Sequence, residues 1–327
     1  LIPNQWYAVL NSDEVKSGRP VGVTRMGEKL VFWRGENGQV ACLRDFCVHR
    51  GVALSAGKIH GDRIMCPFHG FEYDHTGRCT RIPANGRNSP VPQSIHTHAY
   101  ATQEAQGFIY IFWGPTEKIS GSARFFSDID ERFSYGEAVD PWNTHYARVI
   151  ENQLDVAHLP FVHFNSIGRG NRTLVDGPLV EWVDDDFFNL YVQNRIDDGT
   201  PPVRPHAMQK PDVPFKLEFL FPNLWENHIS PSVRVVAAFV PVDDEHTLLY
   251  LRFYQNFMNL PVVRSLVNRL AMPFNIFVAH QDRVIVQTQL PKRPDLRGGE
   301  KLIQADQPII AYRKRRQELI EASMNPN

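Results

Sequence analysis

Two cysteine–histidine pairs constrain this chain more than any other feature: Cys47-x-His49 and Cys66-x-x-His69, with sixteen residues between His49 and Cys66. Each pair offers one soft thiolate and one imidazole on a short segment, followed by Gly51 or Gly70. A fold that uses them must bring two loops together tip to tip. Thiolates suit zinc or iron–sulfur clusters and imidazole suits either, so residue type alone leaves both open. Spacing is more selective. Zinc fingers usually take two cysteines from one knuckle and two histidines from another, whereas here each knuckle carries one of each.

This pattern resembles a Rieske [2Fe–2S] centre, in which two cysteines hold one iron and two histidines the other. The resemblance makes Cys47, His49, Cys66 and His69 the cluster ligands. Rieske proteins of respiratory chains carry an extra cysteine in each loop. His49-Arg50-Gly51-Val52 and Pro67-Phe68-His69 have none, which is the style of oxygenases and Rieske-type ferredoxins. The remaining cysteines, Cys42 and Cys79, read as small buried hydrophobes on strands. Four cysteines in 327 residues give no disulfide framework, which suits a reducing compartment.

The length allows about two domains. With 35 basic and 36 acidic residues, net charge −1 and a pI of 7.0, there is no electrostatic case for nucleic acid or an anionic membrane. The apolar stretch around 260–290 is cut by Arg264, Arg269, Pro273, Asp282 and Arg283, so no membrane span is expected and a cytoplasmic location is. A break is readable near 114–135, giving expected domains of 1–115 and 116–327. The first is a run of short β-like segments with glycine-bearing turns. In the second, a helix over about 142–158, strands from about 179 to 256 and a helical region over about 261–289 predict an α+β domain with a mostly antiparallel sheet. The segment 196–214 is proline-rich and reads as a loop, with the length of a lid.

A second constellation lies on the helix that opens this domain. Asn152, Asp155 and His158 are spaced by three, so neighbours share a face. His163 is five beyond His158, with Pro160 between them to break the helix and swing His163 back. Further on, Asp282 falls in an apolar stripe with Phe274, Val278, Ile285 and Val286, where an unpaired carboxylate demands a cation or a metal.

Asn152, Asp155, His158 and His163 match the N-x2-D-x2-H-x4-H motif of the Rieske non-haem iron oxygenases, which this chain resembles over its whole length. The resemblance implies an all-β Rieske domain followed by a helix-grip, START-like catalytic domain. It implies one mononuclear Fe(II) on His158, His163 and Asp282, with open positions for O₂. Asp155 is then not a ligand. It carries electrons and protons from His69 of a neighbouring subunit to His158, with Asn152 in support. The family arrangement for such chains is a homotrimer, fed by a ferredoxin or flavin reductase. No GxGxxG fingerprint follows a strand, so flavin and nicotinamide belong on a separate protein.

The chain looks most like the phthalate and vanillate-demethylase branch. The expected activity is hydroxylation or oxidative demethylation of a small aromatic or cyclic molecule. A cis-dihydroxylating ring dioxygenase, a Rieske electron-transfer protein lacking catalytic iron, and a zinc-stabilised START-like binding module are the alternatives. Phe215, Leu217, Phe219, Phe221 and Trp225 are candidates for an apolar substrate pocket, joined by Phe161. Asn223, Asn227 and His228 are candidates for orienting a polar group.

Overall fold

The computed structural model describes residues 1–210, 216–258, 260–296 and 299–324. The chain divides into two compact units, Leu1–Phe125 and Phe126–Asn327.

The first unit is all β apart from short 3₁₀ turns. Val21–Arg25 and Glu28–Arg34 form a hairpin whose two loop residues, Met26 and Gly27, both have positive φ (54° and 79°). That backbone matches the twist of the flanking strands. Val40–Arg44 and Ala99–Tyr100 complete this sheet. A second sheet pairs Gln5–Asn11 with Phe108–Trp113 and Thr102–Ala105. The third, Lys58–His60, Arg63–Met65, Glu72–Tyr73 and Cys79–Arg81, carries the second cysteine–histidine loop between two of its strands. Trp33, Leu43, Leu54, Ile64, Tyr73 and Cys79 are buried in one core with Cys47 and Cys66. All four cysteines are free thiols, and Cys42 and Cys79 are fully buried.

The second unit is built on a seven-stranded antiparallel sheet. Its strand order is Ser134–Trp142, Thr247–Gln255, Val233–Pro241, Leu224–Ser230, Leu217–Leu220, Phe187–Arg195, Leu174–Asp184. Helices α1 (Tyr146–Leu154), α2 (Leu159–Val162), α3 (Pro261–Val286) and α4 (Gln307–Met324) accompany it. The strand Val233–Pro241 is buried along most of its length, which is why its sequence masks alternation. It packs against α1, whereas α3 lies on Ser134–Trp142 and Thr247–Gln255.

The helix expected over 142–158 is shorter. Trp142 ends a strand, and α1 begins at Tyr146 with the His145 ring accepting the Ala147 N–H. It stops at Leu154 because Asp155 turns to extended backbone (ψ 121°) and accepts the N–H groups of Ala157 and His158 at 2.7 and 3.2 Å. An aspartate that binds the amides two and three residues on initiates a turn, not another helical turn in register. Pro160 then falls in the first turn of α2, where its missing N–H costs nothing.

Helix α3 corrects a second expectation. Arg264, Arg269 and Pro273 do not interrupt it, and by length and composition it is apolar enough to cross a membrane. Within this unit it instead packs on the sheet, burying Asn268, Met272, Ala279, Asp282 and Val286 while Leu266, Leu270 and Phe277 stay exposed. In the loop expected over 196–214, residues 196–210 hold one 3₁₀ turn, Pro205–Ala207. Its last four residues, and Phe215, lie outside the described residues.

Candidate metal centres

The two cysteine–histidine loops fold alike. In each, the cysteine N–H donates to the residue five on (Val52 O at 2.9 Å, Phe71 O at 2.8 Å), and the cysteine carbonyl accepts the glycine N–H (Gly51 at 2.8 Å, Gly70 at 3.1 Å). Both glycines have positive φ, 74° and 71°, and a Cβ at Gly70 would meet Pro83 at 3.0 Å. That is why each pair ends in glycine. Cys47 and Cys66 are buried while His49 and His69 are exposed, their rings 4.6 Å apart. The His49 ring stacks flat on Phe71 at 4.7 Å.

Burial pushes the Cys66 thiol up, and contact with Cys47 adds to that, while the N–H groups of Phe68 and His69 stabilise its thiolate. Tyr73 OH lies 3.2 Å from Cys47 Sγ, and burial, then the neighbouring thiols, keep that phenol protonated. It can therefore donate to the sulfur when that sulfur is a thiolate. Two adjoining buried sulfurs faced by donors suit a cation that takes them as ligands. With two imidazoles beside them, that is the ligand chemistry of a Rieske cluster. Tyr73 was not singled out from sequence, because nothing in FEYDHTG ties it to Cys47.

In the second unit, His158, His163 and Asp282 bring their ligand atoms within 4.8 Å of one another. Asp282 Oδ1 lies 2.9 Å from His163 Nε2 and 3.4 Å from His158 Nε2. It is buried and accepts no hydrogen bond. Donors about 2.1 Å from a shared metal at right angles stand about 3.0 Å apart, so the spacing fits three ligands on one face of an ion. Burial opposes charge on His158, yet the Asp155 and Asp282 carboxylates outweigh it and raise its pKa to about 9. Burial likewise opposes charge on Asp282, and the two imidazoles outweigh it, lowering its pKa. A divalent ion bound there would replace the proton on His158.

Asp155 Oδ1 is 3.8 Å from His158 Nδ1, beyond hydrogen-bond reach, and the Asp155 side chain is 32% exposed. Burial opposes ionisation of Asp155, but His158 and the two capping N–H groups hold its pKa low. Asn152 sits one turn back on α1, its Nδ2 buried without a partner. Gln281, which sequence reasoning passed over, accepts from His163 Nδ1 at 2.9 Å. Its neighbour His280 is tied instead to Asp140, with Arg283.

A cavity of about 510 Å³ opens on His158, His163 and Asp282. Leu190, Leu217, Val235, Leu251, Phe253 and Val278 make its wall largely apolar, and Gln153, Asn227 and Asn275 add amides. Of the expected pocket residues, Leu217, Trp225, Asn227 and His228 belong to this wall, and Phe161, Phe219, Phe221 and Asn223 do not. Phe161 projects from α2 at 64% exposure. Phe219 packs among Phe188, Phe221 and Tyr312. Asn223 is fully buried, donating to Phe239 O. The larger cavity in the first unit, about 980 Å³, is lined by residues such as Asp62, His75 and His98 and by none of the cluster-loop ligands.

Asp128, Glu218, Glu226 and His228 also stand at metal-like spacing. Arg234 already pairs with Asp128 (2.8 Å) and Lys216 with Glu218 (2.5 Å). His228 Nε2 reaches Glu218 at 2.8 Å. Burial first, and then the Glu218 and Asp128 carboxylates, push Glu226 up to about 8. Three carboxylates beside two resident cations need one proton for neutrality, and Glu226 and His228, both shifted upward, share it. This group does not call for a divalent ion.

Residues 5–100 match the Rieske [2Fe-2S] domain family, and residues 142–322 match the vanillate O-demethylase oxygenase C-terminal domain. The chain is 34% identical to chlorophyllide a oxygenase of Chlamydomonas reinhardtii, over 51% of this chain and 25% of that protein. It is 32% identical to the vanillate O-demethylase oxygenase subunit of a Pseudomonas strain, over 51% of this chain and 46% of that one. These stretches span half or less of either relative. Methylxanthine N1-demethylase NdmA of Pseudomonas putida is 29% identical over 97% of this chain and 89% of that protein. A solved NdmA structure superimposes with a TM-score of 0.81 at 24% identity, covering 98% of this chain and 91% of that one. The chain belongs to the Rieske non-haem iron oxygenases, with a Rieske [2Fe–2S] domain followed by an oxygenase domain of the vanillate O-demethylase type.

Proposed function

We propose that this chain is the terminal component of a multicomponent oxygenase that hydroxylates or oxidatively demethylates a small organic substrate. The observation that carries the proposal is the convergence of His158, His163 and Asp282 on the wall of an apolar cavity. Those three residues would hold Fe(II), and iron bound there would supply O₂ activation. Cys47, His49, Cys66 and His69 would hold the cluster, with Tyr73 and the amides of Phe68 and His69 stabilising the charge added on reduction.

The residues of this chain do the positioning. The apolar wall excludes water and packs the substrate, while Gln153 and Asn227 offer hydrogen bonds to a polar group on it. His69 and the Asp155 carboxylate are both accessible. That suits a head-to-tail homotrimer in which His69 of the partner subunit meets Asp155, and Asp155 passes charge to His158. Electrons come from a separate ferredoxin or flavin reductase. A cytoplasmic location agrees with four cysteines that form no disulfide with one another.

Demethylation stands ahead of ring dihydroxylation because the C-terminal domain and NdmA both carry demethylase names. The test is substrate-dependent O₂ uptake by the reduced, Fe(II)-supplied protein with N- and O-methylated aromatic compounds. One formaldehyde per O₂ is expected. A cis-diol without formaldehyde would favour the dioxygenase alternative, and no uptake with any of them would count against an oxygenase of such substrates.

A further inference from the structure

Helix α3 supplies more than a carboxylate. Gln281, one residue before Asp282, places its Oε1 2.9 Å from His163 Nδ1 and 2.8 Å from Ser166 Oγ. Its Nε2 donates to Asn165 Oδ1 at 3.0 Å. Donation to Asn165 leaves Oε1 as the end that faces His163. An oxygen can only accept, so His163 Nδ1 carries a hydrogen, and Nε2, 2.9 Å from Asp282 Oδ1, is the nitrogen left to meet a metal. His158 differs: its Nδ1 is buried without a hydrogen bond, and Asp155 Oδ1 stands at 3.8 Å. Only one of the two histidines is therefore locked by a hydrogen bond to its second ring nitrogen.

We propose that Gln281 is a positioning residue for the mononuclear metal site, fixing the tautomer and ring plane of His163 so that this histidine is the anchored ligand. The proposal rests on His158, His163 and Asp282 being the metal ligands. Residues Asn165 and Ser166 follow His163 directly, so the segment after α2 and the C-terminal part of α3 hold each other in register at the site. Loss of the acceptor would leave Nδ1–H unsatisfied in a buried place and free the ring to turn or change tautomer.

The test uses the full chain with its cluster intact, stripped of labile metal and titrated with Co(II) as a spectroscopic probe. Gln281→Leu is expected to weaken Co(II) binding by about 10–100-fold. Gln281→Glu keeps an acceptor on His163 and is expected to restore binding to within a few-fold of the parent. Cluster absorption and thermal midpoint should stay close to the parent in both. Binding by Gln281→Leu within twofold of the parent would overturn the proposal. So would equal loss in Gln281→Glu, or a loss that tracks unfolding. Asp282→Ala separates the underlying reading: if it binds Co(II) as the parent does, the metal-site assignment itself fails.

Discussion

Asp282 Oδ1 lies 2.9 Å from His163 Nε2 and accepts no hydrogen bond from it. A buried carboxylate oxygen this close to two imidazole nitrogens, with no hydrogen bond to it, has the placement the proposed ion requires. Replacing Asp282 with Ala removes the carboxylate and leaves two neutral ligands. The expected result is loss of the mononuclear ion and of turnover, with the visible absorption of the cluster unchanged. Colorimetric iron analysis beside the spectrum checks both halves.

Asp155 should behave differently. Its carboxylate caps the turn after α1 and stands beside His158 without being one of the three converging donors. Asp155→Asn keeps an oxygen for the two capping amides, so the fold and both metals should survive. Multiple-turnover rate is expected to fall by about 100-fold. Rapid-mixing measurement of cluster reoxidation checks it: unchanged reoxidation would remove Asp155 from the electron path.

Tyr73 OH lies 3.2 Å from Cys47 Sγ, and its bond to a cluster-bound thiolate would strengthen when the cluster gains an electron. Tyr73→Phe removes it. The reduction potential should drop, by on the order of 50 mV given the usual worth of a hydrogen bond to a charged acceptor. Protein-film voltammetry reads this directly, and a potential within 10–15 mV of the parent, roughly its own scatter on that scale, would contradict it.

Stability should fall with pH because His228 is shifted upward and, above all, because of Glu226. Its pKa, raised from 4.5 to about 8, means the native state holds a proton between those values that the unfolded chain has released. The contribution is whole below about pH 4.5 and is lost as pH rises towards 8, a loss of at most about 5 kcal/mol. Glu218 shifts the opposite way, down to about 2, so its contribution is flat across this window. Glu226→Gln mimics the protonated form. It should match the parent at pH 5 and exceed it at pH 8 in urea unfolding; an unchanged pH slope would contradict the assignment.

The two cysteine–histidine loops and the His158/His163 spacing were legible because each is local, carried by a few residues around a glycine or a proline. Asp282 was legible as a charge in an apolar stripe. What escaped depended on tertiary partners. The end of α1 is set by a carboxylate turning back on Ala157 and His158. Gln281 matters only because His163 arrives 118 residues away in sequence. The cavity wall draws on alternate residues of several strands, so single-strand reading picked out Phe219 and Asn223, which face the core. Arg264 and Arg269 read as interruptions, yet they sit on exposed turns of an unbroken α3.

Iron and acid-labile sulfide per chain, after anaerobic purification and incubation with Fe(II), test the central claim most directly. One cluster and one mononuclear site require about three irons and two sulfides, falling to about two irons in Asp282→Ala. About two irons and two sulfides in the parent chain, persisting with Fe(II) in excess, would contradict the account and leave an electron carrier.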